Sequence, residues 1–373
     1  MSKLGRIVVA MSGGVDSSVA AALLRDQGWD VVGLFMRNGA HREDGVPLSG
    51  SCCSLSDAND ARRVAGRLGI PFYSVNFAQA FARLMDHFAE EYHRGRTPNP
   101  CVLCNRDLKF GLLLEYATGV GAEAVATGHY ARRDEVGGSP RLRTALDTDK
   151  DQSYVLFPLS PAQLARTRFP LGELRKPEVR AIAHDLGLPT AAKKESMEIC
   201  FVPNDDYRAF LVERDRTGIN PAPERPPGRF LGTDGRVLGS HFGVQFYTVG
   251  QRRGLGLALG RPAYVVRLDP ERNEVVVGFE EDLLAPGLVA REMNWTSIAP
   301  PAPGSVRDCA VKIRARSPGV PASFGVRADG GVAARFAEPQ RAVTPGQAAV
   351  FYDGDVVLGG GWIDGVTDAP GRT

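Results

Sequence analysis

Hydrophobic and polar positions change rhythm along the chain. In its first half, apolar runs at 6–11, 31–36, 71–77 and 123–131 alternate with stretches whose apolar residues recur at helical spacing, 15–28, 56–69 and 80–92. Runs that are apolar throughout suit strands covered on both faces. The intervening stretches are long enough for crossover helices, so the pattern predicts a doubly wound parallel sheet with helices on both sides. Another helical unit is expected within 168–190, opened by Lys176-Pro177 and closed near Gly187. Residues 218–235 are rich in Pro and Gly and read as a linker or irregular loop. Beyond them, strand-like runs at 264–269, 273–279, 309–316, 322–328, 331–336 and 348–363 follow one another with almost no helical period, which predicts a small β-barrel. The expected division is an α/β domain over 1–215, a small central domain over 216–285 and a C-terminal β-barrel over 286–373.

Composition narrows the class. Of 373 residues, 43% are hydrophobic and 24% charged, an ordinary globular balance that excludes disordered and fibrous chains. A net charge of +2 provides no global field for nucleic acid, so RNA binding would rest on local clusters. Candidates are Arg132-Arg133, Lys193-Lys194, Arg252-Arg253 and the alternating Lys312, Arg314 and Arg316. If 309–316 is a strand, that last trio puts three cations on one face, where a phosphate backbone could lie. The apolar run Ile7–Met11 is too short for a signal-peptide core, and no apolar stretch approaches membrane-spanning length. A cytoplasmic chain is expected, and with it reduced thiols at Cys52, Cys53, Cys101, Cys104, Cys200 and Cys309.

The most pointed motif is AMSGGVDSS at 10–18, between an expected strand and an expected helix. Gly13 and Gly14 permit a tight turn with exposed N–H groups. Ser12, Ser17 and Ser18 add hydroxyls, and the helix dipole favours an anion there. The lysine of the Walker A loop is missing, and Asp16 instead sets a carboxylate beside the phosphates, a natural partner for Mg²⁺. SGGVDS resembles the PP-loop of ATP pyrophosphatases, which cleave ATP between its α and β phosphates. The resemblance assigns Ala10, Met11, Ser12, Gly13, Gly14, Val15, Asp16 and Ser17, with Met36 and Gly128, to an ATP site.

Cys101 and Cys104 lie in GRTPNPCVLCN and Cys200 in ESMEICFVP. Pro98 and Pro100 stiffen the approach to Cys101 and favour an extended, substrate-facing loop. Paired thiols suit sulfur transfer. A carbonyl activated by adenylation is open to a persulfide, and a second thiol can release the sulfur by disulfide exchange. A partial zinc site or plain burial are the alternatives, although no fourth zinc ligand is evident. The adjacent Cys52-Cys53 pair and Cys309 read as packing or loop residues.

AMSGGVDSSVAA, GLFM, GRTPNPCVLCN, KFG, ATGHYA, DKDQSY, LGLPTA, ICF, TVGQRRGLG and VTPGQAAVFYDGDVVLGGG occur in the order found in the bacterial tRNA-specific 2-thiouridylase family, which the chain resembles over nearly its whole length. The resemblance implies ATP-dependent adenylation of the wobble uridine 2-oxygen and then sulfur transfer, giving 2-thiouridine, AMP and pyrophosphate. It makes Cys200 the persulfide-bearing thiol and Cys104 its disulfide partner. Asn99, Pro100 and Cys101 would meet the target base, and Lys150, Asp151, Gln152, Ala315 and Arg316 would contact tRNA. It also implies lysine, glutamate and glutamine tRNAs, and a cysteine desulfurase or relay protein as sulfur donor; a monomer is expected. Known members carry an aspartate, proposed as an acid/base group, where this chain has Cys101. A thiol near pKa 8.5 is a different acid and base from a carboxylate near 4. One consequence to test is an iron–sulfur cluster on Cys101, Cys104 and Cys200. Two rivals are a PP-loop ligase that amidates a small metabolite, needing no tRNA, and an RNA-binding protein whose loop only senses ATP.

Overall fold

The computed structural model describes residues 4–39, 55–194, 199–202, 204, 206–217 and 226–367. Cys52 and Cys53 lie outside them.

The first sheet comprises β1 (Arg6–Ala10), β2 (Asp30–Arg37), β3 (Phe72–Asn76), β4 (Ala124–Ala126) and the two-residue β7 (Thr167–Arg168), all parallel in the order β3-β2-β1-β4-β7. The chain reverses its winding between β1 and β4, and ligands in such sheets sit beyond the strand ends at that point. Side chains alternate across β1. Ile7 and Val9 face a core built with α1 (Val15–Asp26), α2 (Leu55–Leu68) and α7 (Lys176–Asp185), whereas Val8 and Ala10 face α3 (Ala78–His93), α5 (Leu113–Gly119) and α8 (Tyr207–Thr217). The expected strand over 123–131 is only three residues long, because the chain leaves the sheet after Ala126 to pass the start of α1.

A short hairpin, β5 (Arg132–Val136) and β6 (Ser139–Arg143), follows β4. Next come α6 (Pro161–Ala165), β7 and α7, and α8 ends the first region. The central sheet has β8 (Gly228–Gly232), β9 (Val237–His241), β10 (Tyr264–Asp269) and β11 (Glu274–Gly278), in the order β10-β11-β8-β9. The presumed linker at 218–235 therefore contains a strand. Phe230 is buried against Val265 and Val275, which its Pro/Gly-rich surroundings did not reveal.

The barrel is built from β12 (Leu284–Asn294), β13 (Val306–Lys312), β14 (Val320–Val326), β15 (Val332–Arg341), β16 (Ala348–Asp353) and β17 (Val356–Val366). Its strand order β12-β15-β14-β13-β16-β17 closes through β12–β17 pairing. β13 stops at Lys312, so Arg314 and Arg316 lie in the following turn and the expected three-cation strand face does not form.

The hairpin crosses the expected domain division. β6 pairs with β17 at Arg143 and Val356, and Arg132 and Arg143 both donate to Asp355 in the β16–β17 turn. Beside it, Phe110, Tyr154 and Phe157 share one core with Val350, Tyr352 and Val357 of the barrel. Among the described residues, no helix is long and apolar enough to cross a membrane.

Candidate active site

The loop after β1 is drawn tight by its own side chains. Ser17 Oγ accepts from the Ser12 N–H at 3.1 Å, and Ser18 Oγ donates to the Gly14 carbonyl at 2.7 Å. Gly13 has φ +72°, and a Cβ there would stand 2.3 Å from the Asp57 carbonyl oxygen, so α2 packs its backbone onto the loop. Gly128 does the same from the segment after β4: a Cβ would lie 2.6 Å from the Ser17 nitrogen. The sequence-predicted nucleotide residues from Ala10 to Ser17, with Gly128, thus converge at the switch point. Ala10, Met11, Val15 and Ser17 are buried, which leaves their backbone and the exposed Ser12 for contact with a ligand. Met36, at the end of β2, packs on the opposite face.

Asp16 is not an open metal ligand. Lys176 Nζ donates to its two carboxylate oxygens at 2.7 and 2.8 Å, and the Tyr130 hydroxyl donates to Oδ1 at 2.9 Å. On the other side of the loop, Lys193 Nζ donates to the Gly13 carbonyl (3.0 Å), Asp57 (2.6 Å) and Asp60 (2.7 Å). Burial opposes the Lys193 charge, but the two carboxylates outweigh it and hold its pKa above the usual lysine value. Sequence reasoning missed both lysines as site residues. Lys176 opens a helix ahead of Pro177 and Lys193 was read as half of a basic pair; only the packing of α7 and α2 around α1 brings them to the loop. His129, next to Gly128, is buried against Phe110 and Phe169 and shares a 2.7 Å hydrogen bond with Thr127. Burial first, and the Lys109 charge second, push its pKa well below the ordinary histidine value, so it is a neutral ring.

The cysteines belong to the other face. Pro100 starts α4 (Pro100–Leu103), which runs through a π-helix, Cys104–Leu112, into α5. After α5 the Glu123 N–H reaches the Arg6 carbonyl at the start of β1. π-helical turns recur at functional sites. Cys104 and Cys200 are half-buried and pack against the same aromatic-rich core, while Cys101 is exposed. The approach to Cys101 differs from the open loop expected. Pro98 and Pro100 are buried, the Thr97 N–H bonds the Pro345 carbonyl, and Gln347 Nε2 donates to the Thr97 carbonyl at 2.9 Å. The barrel thus fixes the Asn99-Pro100-Cys101 segment. Among the described residues, which include all three cysteines, no three or more His, Cys, Asp or Glu side chains gather as a metal ion would need. Cys101, Cys104 and Cys200 are thus not assembled into a three-ligand site in this structure. Cys309, in β13, is a free thiol that burial pushes up to about 12, which suits packing rather than chemistry.

The residues expected to touch tRNA separate into two groups. Ala315 and Arg316 are exposed in the turn after β13, and Gln152 and the Arg252-Arg253 pair also face solvent. Lys150 is half-buried. The Asp151 side chain points inward, accepting from the Ala145 N–H, Ser153 and Lys312, and Lys312 is thereby spent on an internal pair. Arg132 is spent on Asp355. A cleft lined by Thr97, Thr248, Gly250, Arg314, Arg341 and Gln347 lies where the first region, the central sheet and the barrel meet.

Residues 5–204 match the tRNA methyl transferase HUP domain model, 220–279 its PRC-barrel domain and 285–363 an aminomethyltransferase β-barrel domain. The tRNA-specific 2-thiouridylase MnmA of Geobacter metallireducens is 52% identical over 364 residues, covering 96% of each chain. Its namesake from Solibacter usitatus is 52% identical over 369 residues, covering 96% of this chain and 99% of its own. A solved 4-thiouridine synthetase–RNA complex with bound ATP covers 56% of this chain and 50% of its own at 17% identity, with a TM-score of 0.38. On the curated relatives and the family model, the chain belongs to the tRNA-specific 2-thiouridylase family.

Proposed function

We propose that the chain is an ATP-dependent tRNA 2-thiouridylase acting on a wobble uridine. The observation that carries this reading is a phosphate loop held tight at the end of β1, on a sheet whose α3-side core is also the one against which Cys104 and Cys200 pack. Mg·ATP enters as substrate at residues 10–17 and Gly128. The uridine 2-oxygen attacks the α-phosphorus and pyrophosphate leaves. The terminal sulfur of a Cys200 persulfide then attacks C2, and AMP departs. Cys104 thiolate attacks Cys200 Sγ, breaking the persulfide S–S bond. This leaves the sulfur on C2 and a Cys104–Cys200 disulfide, which a dithiol reductant reopens before the next turnover. An exposed Cys101 beside the target base serves as the acid/base group in place of a carboxylate. No step runs through a metal cluster.

Asn99, Pro100 and Cys101 meet the base, while Gln152, Ala315 and Arg316 lie on the solvent-facing side that tRNA would approach. Lysine, glutamate and glutamine tRNAs are the expected substrates. A cysteine desulfurase, acting directly or through a relay, supplies the persulfide.

The test incubates the protein with unmodified tRNA, Mg·ATP, a persulfide source, a sulfonium methyl donor and a dithiol, and then analyses the nucleosides by mass spectrometry. Wild type should give 2-thiouridine and AMP. Cys200→Ala should give none, and Cys101→Asp should retain activity. The names of the matched domain models raise a second outcome, a methylated nucleoside. That product, or AMP formed at full rate without RNA, would overturn the reading.

A further inference from the structure

The phosphate loop carries an electrostatic problem that Lys176 resolves. Backbone N–H groups and the start of α1 attract a polyphosphate, yet Asp16 stands in the first helical turn with a carboxylate at the same place. In this structure the carboxylate is covered from behind. Lys176, with a side chain only 9% exposed, bonds both oxygens of the more open Asp16, which is 30% exposed. The lysine is itself fixed. Its N–H donates to Asp147 Oδ2 at 2.8 Å, and its ammonium lies 5.6 Å from the Tyr130 ring centre.

We propose that Lys176 is a positioning residue of the nucleotide site: an internal counter-ion that neutralises Asp16 and orients it, so that a nucleoside triphosphate meets a loop free of net repulsion. The inference rests on the ATP-site reading above. Its signature is electrostatic. A residue acting only through packing would not leave the defect curable by deleting the opposite charge.

The experiment titrates α,β-methylene-ATP calorimetrically in EDTA, at low and high salt, into wild type, Lys176→Arg, Lys176→Met and the double variant Lys176→Met/Asp16→Asn. Circular dichroism melts monitor folding. Lys176→Met should bind about tenfold more weakly at low salt and recover partly at high salt. Lys176→Arg should stay near wild type, and the double variant should regain most of the loss. The double variant replaces an ion pair by neutral groups and keeps the test open if Lys176→Met fails to fold. Wild-type affinity in Lys176→Met, or a double variant that binds as weakly as a tenfold-impaired chain, overturns the proposal. No binding by folded wild type, either in EDTA or with Mg²⁺ present, would instead overturn the nucleotide reading, and this inference with it.

Discussion

On the α1 face of the first sheet, Ala20, Ala21, Ala22, Ala61 and Ala65 let helices press close to the strands, and the loop is held backbone to backbone. On the α3 face, Phe77, Phe81, Phe88, Tyr92 and Phe201 fill the space, and Cys104 and Cys200 pack against this core. The first arrangement leaves no slack, as suits a site that must present N–H groups in a fixed pattern. The second places its thiols through side-chain packing, which can be re-formed in more than one way. That freedom suits groups that must change covalent partners in every turnover. The comparison predicts that the two faces fail differently.

Phe88 should give the largest effect. Its ring centre lies 5.0 Å from that of Tyr92, 5.1 Å from Phe201 and 5.6 Å from Phe210, so it joins α3, α8 and the Cys200 segment. Phe88→Ala should cost about 3–5 kcal/mol in urea unfolding. In the fraction that remains folded, sulfur transfer should fall far more than binding of an ATP analogue. Equal losses would mean that the faces are not independent.

Gly128→Ala probes the other face. The new Cβ would meet the Ser17 nitrogen at 2.6 Å and the Asp16 carbonyl carbon at 2.8 Å, and backbone cannot rotate away as a side-chain tip can. Overpacking of about 1–3 kcal/mol, taken up by shifting the loop, should weaken nucleotide binding by roughly 10–100-fold. Disulfide formation between Cys104 and Cys200 under mild oxidation should be unaffected. Gly66→Ala in α2, where nothing lies within 4 Å of the added carbon, is the control and should leave nucleotide binding unchanged. Unaltered affinity in Gly128→Ala would show that the loop is less tightly set than its contacts imply.

The same difference explains what the sequence disclosed. SGGVDSS could be read directly because a strand, a glycine turn and a helix start are local events. The parallel sheet followed from the rhythm of apolar runs, and the barrel from closely spaced alternating strands. Long-range consequences were hidden. Nothing local tells that Lys176 will lie on Asp16, 160 positions away, or that Lys193 will clamp α2 to Gly13. Alternation at 312, 314 and 316 imitated a strand face, but the chain turns after Lys312 and that lysine pairs with Asp151. Phe230 lay in a Pro/Gly-rich stretch whose composition masked a strand. The order of family motifs marked out Cys101, Cys104 and Cys200 as candidates, whereas the core shared by Cys104 and Cys200 emerges only from the fold.

The smallest predicted effect lies beside the loop, against the core that the first region shares with the barrel. His129 follows Gly128 and is buried between Phe110 and Phe169, with its pKa well below the unfolded value of 6.5, chiefly because burial penalises the charged ring. As pH falls below 6.5 the unfolded chain takes up a proton at this position and the folded chain does not. Stability therefore declines towards acid, by at most about 1.4 kcal/mol per pH unit for this group, and the contribution is fully present above that range. His241, also held low mainly by burial, acts in the same window, whereas the depressed carboxylates of Asp134 and Asp355 start from 3.8 and act below it. His129→Asn keeps a hydrogen-bonding group near Thr127 but cannot titrate. Urea midpoints measured from pH 7.5 to 5 should fall less steeply for the variant than for wild type, with no difference in slope above pH 7. Parallel curves throughout would mean that the folded protein protonates His129 as readily as the unfolded chain, and that the ring is open to water.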